Sequence, residues 1–524
     1  MEKKFNLIDE KWIRVRDGNC TVTEVSLKEA LLNAHEYTAL AGELPTQDIA
    51  VLRMLLAVLH TVFSRVDLQG NPIALKDKDD AFDQWKSIWD NGKIPEKPIS
   101  DYFDEWYDRF WLVHPERPFW QVAGLDRGTY YSAAKLNGEI SESANKIRMF
   151  SKFSQEEKTT MSFSQAARWI LHFNGFDDTS AKPTKQGSAN SKLPSPGAGW
   201  LGKIGLTIVT GRTLFETMMY NLVMVRNGVI ESEEKPVWET GVRTAERTEI
   251  PIPTNLAELY TLQSRRILLD VKNNSIIGLK MIGGDFFNKE NAFAEPMTIW
   301  SVPQKANEAY TPKRHKIEKQ LWREFSSFYP EDDNSTAGTI LWFKNYVSRV
   351  LKRNQTITTL IASAQYGDKD FFIDNVFSDS VSMSVDILTE KGKAWRGRIN
   401  EEIEKCNEVA KKVHSFAMNV HMANGGDAED TEIGKKAKEQ FFYKLDIPFR
   451  EWLVSIDPEE DKVVEKLDEW IKIVYGIVRE LADEISAAGT PQAYVGIKRN
   501  DGKVYSIPQA QNALYRSLKQ IYDK

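Results

Sequence analysis

A chain of 524 residues, 41% hydrophobic and 27% charged, has room for about three domains of ~150 residues and enough apolar content for a core, which excludes a disordered protein. Its net charge of -6 argues against a uniformly basic surface, so any polyanion contact must be local. The two isolated cysteines, Cys20 and Cys406, cannot build a zinc cluster and suit a reducing cytoplasm.

Met1-Glu2-Lys3-Lys4 leads into strand-like Phe5–Ile8 rather than an apolar leader, and no apolar run reads as long enough to span a membrane. Trp12–Val15 and Cys20–Val25 flank the turn Asp17-Gly18-Asn19, and Ser26 with Glu29 forms a capping box at a helix start. Apolar residues at Ile49, Leu52, Leu55, Leu56, Leu59 and Val62 predict a helix over Thr46–Val66, with His60 as a core histidine. Shorter helices are expected at Asp79–Asp90 and Asp101–Phe110. Pro115 and Pro118 keep Phe110–Gln121 extended. Asn145–Phe153 interleaves Lys146, Arg148 and Lys152 with Phe150 and Phe153. Cations for phosphates and rings for bases are what nucleic-acid contacts need, and aromatics docking on a core give the same pattern.

A helix at Ser164–Phe173 precedes the most distinctive stretch. Thr179–Phe215 holds Lys182, Lys185, Lys192, Lys203 and Arg212 with no Asp or Glu, and six glycines that include Gly197, Gly199 and Gly202. Glycine lets backbone N–H groups approach a ligand and lysine adds charge for phosphate, so the stretch reads as a phosphate-backbone contact. A strand at Ile204–Val209, a helix at Arg212–Val225, a mixed segment at Leu262–Val271 with Arg265 and Arg266, and a strand at Ile276–Met281 follow. Residues 301–360 carry 10 Lys/Arg against 6 Asp/Glu. A helix at Thr339–Arg353 gathers cations near its C-terminal end, where the helix dipole favours them. Beyond about Val376 prolines thin out, and four helices are predicted at Thr389–Met422, Thr431–Val454, Pro458–Ala487 and Pro508–Tyr522. The class is α+β: a mixed α/β domain over residues 1–375, then a four-helix bundle over 376–524.

Catalytic patterns fail on context. Gly197-Ala198-Gly199-Trp200-Leu201-Gly202 spells G-x-G-x-x-G and continues into Lys203, but Ile204 stands where a P-loop needs Ser or Thr, and a strand follows instead of a helix. No H-E-x-x-H or G-x-S-x-G is present, and no His is followed by Asp. Phosphate-contact features without a catalytic constellation point to a binding module. A scaffold touching RNA and protein, and a P-loop-like nucleotide-binding enzyme, are the competing readings.

Leu7-Ile8-Asp9 with Trp12-Ile13 and Val15-Arg16 resembles the opening of the CasA family, the large subunits of the type I-E CRISPR Cascade surveillance complex. Phe110, Leu112, His114, Pro118, Phe119 and Gln121 resemble a second marker. Leu259-Tyr260-Thr261 with Gln263-Ser264-Arg265-Arg266 resembles a third. The resemblance implies a mixed α/β domain followed by a helical bundle, no catalysis and no cofactor or metal. It implies partners: guide RNA, other Cascade subunits, double-stranded DNA carrying a protospacer-adjacent motif (PAM), and a helicase-nuclease. It also implies a cytoplasmic protein, monomeric when isolated, that touches no membrane. Residue by residue, Phe150 and Lys152 match a mobile loop, Gly197-Ala198-Gly199 a glycine loop reading the minor groove, Lys272 a lysine finger, and Gln365 a wedge spanning Gln365–Asp370. Lys192 and Lys203 are added as phosphate contacts from the residues themselves.

Overall fold

The computed structural model describes residues 2–138, 159–178, 196–226, 228–231, 234–247, 249–250, 255–287, 295–301, 303, 310–329, 335–499 and 502–523. The chain forms two compact units. One comprises Met1–Lys319, Pro330–Arg349 and Thr358–Ser380, the other Gln320–Tyr329, Val350–Ile357 and Val381–Lys524.

The first unit is built on the helix Pro45–Phe63, which packs against helices Phe163–Phe176 and Leu256–Tyr260. Proline at its first position suits a site whose N–H has no helical partner. This helix has the length and apolar content of a membrane span, contrary to the sequence expectation. Almost all of it is buried within the protein, so its hydrophobicity is spent on the core. Its one buried cation, Arg53, is held by both oxygens of Glu295 at 2.7 and 3.0 Å and lies 4.4 Å from the Tyr260 ring. His60 is a core histidine, and burial pushes it down to about 3, hence neutral.

The described residues also form three three-stranded sheets. Ile13–Asp17 lies between Val22–Val25 and Tyr37–Leu40. Ser275–Gly283 lies between Arg265–Lys272 and Thr129–Ser132, with Arg265 opposite Gly283. Asn273 and Asn274, both at positive φ (50° and 59°), close its hairpin, as the primed turns of two-residue loops require. Thr356–Tyr366 lies between Ile373–Ser384 and Leu206–Thr210, with Ala362 opposite Leu206.

Several expected boundaries shift, each for a local reason. The predicted Arg212–Val225 helix is only Leu214–Asn221. Thr213 caps its start by accepting from the Glu216 N–H at 3.1 Å, and the Asn221 side chain turns back to the Val209 N–H and C=O at 3.1 and 2.6 Å. The Thr339–Arg353 helix stops at Asn345, because Tyr346 leaves the helical region, and resumes as a 3₁₀ turn at Val347–Arg349. The segment read as mixed is a strand from Arg265 onward.

The second unit contains the expected four long helices: Lys393–Ala423, Glu432–Val454, Val463–Ala487 and Ile507–Tyr522. The first packs on each of the other three. Aromatic layers fill the centre. Trp452 stacks on Trp470 at 5.3 Å, Phe449 meets Trp470 edge-on at 5.2 Å, and Trp322 stacks on Phe449 at 4.2 Å.

Candidate nucleic-acid interface

The glycine-rich turn is fixed at the end of a helix. Ser162 and Gln165 form a capping box that starts the helix Phe163–Phe176, and the chain leaves it through Asp177 and Asp178. After residues 179–195 it returns as Pro196-Gly197-Ala198-Gly199 and the 3₁₀ turn Trp200–Lys203. The Gly199 N–H donates to the Asp177 carbonyl at 2.9 Å, and the Trp200 N–H donates to Ser264 Oγ at 3.1 Å. From below, the Trp200 indole donates to Glu295 Oε2 at 2.9 Å, the same carboxylate that holds Arg53.

Arg265 locks this arrangement. Its Nε donates to Asp177 Oδ2 at 2.6 Å, and its Nη2 donates to the carbonyls of Asp178 and Gly197, both at 2.7 Å. Lys135 lies 3.0 Å from both Asp177 and Asp178. Two cations and two carboxylates, all almost fully buried, thus tie the helix end, the strand start and the glycine turn together. Buried charges persist only when paired and hydrogen-bonded, and each of these is.

The expected groove-reading glycines are placed unequally. Gly197 is half-buried with φ 63°, in the left-handed region that favours glycine. Ala198 is buried, and Gly199 is enclosed: a Cβ there would lie 2.6 Å from the Gly175 carbonyl carbon and 2.7 Å from the Asn174 oxygen. Gly199 was expected to let backbone approach a ligand; in the structure its missing side chain lets two protein backbones meet.

Beside the turn lies a cavity of about 360 Å³ lined by Lys203, Arg247 and Arg265 with Asp285 and Asp370. Both acids are already engaged, Asp285 with Arg266 and Asp370 with Arg314, the latter through two bonds at 2.9 and 3.0 Å. Lys203 makes no ion pair among the described residues; its amine sits 3.4 Å from the Pro196 carbonyl oxygen. Burial, then the charges of Arg265, Arg247 and Arg314, push this amine down to about 8. Burial and the neighbouring Arg265 and Arg266 also lower Arg247, which lies 4.7 Å from the Phe286 ring. Positive charges are thus crowded at this cavity, and among the described residues Lys203 has no counter-charge of its own.

The hairpin tip after Thr356–Tyr366 comes to the same place. The Tyr366 hydroxyl donates to the Phe176 carbonyl at 2.6 Å and packs on Gly202. Gln365 is half-buried one residue before it. Lys369 and Asp370 adopt positive φ at the tip, and Phe371 and Phe372 are 37% exposed. The Gly197–Lys203 turn and the Gln365–Asp370 tip, some 165 residues apart, thus flank one cavity. Lys272 does not join them. It is exposed at the far end of the Arg265–Lys272 strand, about 23 Å from Arg265 at a rise of ~3.3 Å per residue. Phe150, Lys152 and Lys192 lie outside the described residues. Arg247 and Arg314 were missed, and Arg265 was read only as a family marker. The signal for Arg265 was a charge doublet opening an apolar strand, which demands buried partners.

The fold defines a two-unit α+β protein with a cation-lined cavity in its first unit. Residues 6–481 match the model of the CRISPR-associated protein Cse1 family, and the chain belongs to that family. A Thermus thermophilus CRISPR-associated protein CasA/Cse1 is 31% identical over 344 residues, a match spanning 64% of this chain and 62% of that relative. The crystal structure of Thermobifida fusca Cse1 superposes with a TM-score of 0.83 at 25% identity, covering 99% of this chain and 98% of that one. A chain of a solved CRISPR RNA-guided surveillance complex shares the fold at 14% identity with a TM-score of 0.68, covering 99% of this chain and all of that one.

Proposed function

We propose that this chain is the non-catalytic large subunit of a type I-E CRISPR surveillance complex. With guide RNA and its partner subunits it recognises the PAM in double-stranded DNA, helps open the duplex and helps recruit the helicase-nuclease. The observation that carries this reading is the convergence of the Gly197–Lys203 turn and the Gln365–Asp370 tip on one cation-lined cavity. A duplex seated there meets backbone and lysine on one side and a protruding hairpin on the other. The minor groove offers a degenerate donor and acceptor pattern, so a backbone reader accepts several motifs. A wedge costs a few kcal/mol of unstacking per step and returns separated strands for guide pairing.

The test is binding of PAM-bearing against scrambled duplex by the assembled complex. A preference for the PAM supports the reading; equal binding leaves a scaffold that touches only RNA and protein. Lys203→Ala is expected to reduce the salt slope of duplex binding by about 0.9, one phosphate contact, and combining it with Lys192→Ala should reduce it further. An unchanged slope removes the lysine from the contact. Because the Lys203 amine sits at about 8, its charge is present at pH 7 and lost as pH rises through 8. Wild-type binding should therefore weaken between pH 7 and 9, and Lys203→Ala should flatten that fall. Saturable ATP binding abolished by Lys203→Ala would instead favour a nucleotide enzyme.

A further inference from the structure

Leu262 and Ser264 line the cavity described above, but Gln263 between them lines a second one, of about 50 Å³. Its other walls include Arg109, Arg117, Trp120, Trp238 and Arg243. Phe119 also borders it, and these rings are buried, so the floor is apolar. Arg117, Gly241 and Val242 at the rim are exposed, so the cavity opens on the surface.

The donors here outnumber the acceptors. The guanidinium groups of Arg109 and Arg117 make no hydrogen bond or ion pair among the described residues, and after burial it is Arg117 that most disfavours charge on Arg109. Arg243 Nε and Trp120 Nε1 are buried N–H groups without an acceptor. Two carboxylates act from outside the cavity: Asp108 partly offsets the repulsion at Arg109, and Asp285, paired with Arg266 through one oxygen, has its other oxygen 3.9 Å from Arg243 without a hydrogen bond. Buried donors left without acceptors, and cations left to repel one another, are each costly. A tetrahedral oxyanion resolves both, because each guanidinium offers five donors in a fork that matches phosphate oxygens. The volume would hold about three to five waters at the ~10–15 Å³ of accessible space that each needs, which is room for a phosphate.

We propose that this cavity is a second anion site that holds one phosphodiester of a nucleic-acid strand as it crosses the rim at Arg117. It lies on the other side of Gln263 from the motif-reading cavity and does not depend on motif reading. The test is fluorescence anisotropy of a labelled single-stranded oligonucleotide with the full chain, across salt concentrations and with inorganic phosphate as competitor. Arg117→Glu changes an exposed side chain that has no side-chain partner among the described residues, so the fold is expected to survive. It should weaken strand binding about tenfold, and Arg109→Gln with Arg117→Gln should lower the salt slope by about 1.4, two single-strand contacts. Inorganic phosphate should displace the strand from the native chain. Native affinity and slope in both variants would overturn the site. So would a strand unaffected by them while inorganic phosphate binding is lost, which would mean a pocket for the small anion only. PAM preference retained in Arg117→Glu would separate this site from the motif-reading one.

Discussion

Arg265→Ala is expected to lower the stability of the first unit by about 3–5 kcal/mol and to abolish PAM-dependent binding. The side chain is 1% exposed, and its removal strands Asp177, itself buried, with only Lys135 for compensation among the described residues. The carbonyls of Gly197 and Asp178 lose their donor at the same time, so the glycine turn is released from the helix end. Arg265→Lys should recover only part of the loss, because a single ammonium cannot span Asp177, Asp178 and Gly197 together. Urea unfolding of the two variants measures the stability term, and duplex binding by the assembled complex measures the second. A midpoint for Arg265→Ala within experimental error of the native chain would mean that the buried cluster does not hold the turn. Arg265→Met with Asp177→Leu, which removes both charges, should be less destabilised than Arg265→Ala alone, since an absent pair costs less than a broken one.

How much of this was legible in the sequence depended on the range of the interaction. The bundle helices were readable because their apolar residues recur at helical spacing, and Pro45–Phe63 for the same reason. The Asn273-Asn274 pair between the two strand segments is a local turn signal of the same short range, because asparagine tolerates positive φ. Partnerships over long separations were not. The acids that neutralise Arg265 and Arg266 lie 88 and 19 residues away, and Asp370 lies 56 residues from Arg314. The glycine content of Thr179–Phe215 was visible, but whether each glycine faces a ligand or another backbone depends on the helix end at Asn174-Gly175, which periodicity does not place. The doublet Arg265-Arg266 ahead of Ile267 was the strongest unread signal, since full charges at the start of a buried strand require buried counter-charges.

The second large effect follows from the two glycines' different surroundings. Gly199→Ala places a methyl group 2.6 Å from the Gly175 carbonyl carbon, against main chain that Asn174, Arg265 and the helix end hold in place. Overpacking of this kind costs about 1–3 kcal/mol, and here the turn is the part that can yield. Its Asp177 hydrogen bond should open, Ala198 and Lys203 should leave the cavity wall, and PAM-dependent binding should fall sharply while the complex still assembles. Gly199→Asp should do the same more severely, adding a buried charge without a partner. Gly197→Ala is the informative contrast. Its Cβ would lie 3.6 Å from the Lys203 side chain, ordinary contact, and the φ of 63° costs an alanine roughly 1–2 kcal/mol. If the turn meets DNA through the Gly197 backbone, Gly197→Ala should impair duplex binding more than its small loss in melting temperature accounts for, whereas Gly199→Ala should lose both together. Native PAM discrimination in both variants would mean that this turn does not touch the duplex, leaving the hairpin at Gln365–Asp370 and the cations around it to account for any recognition.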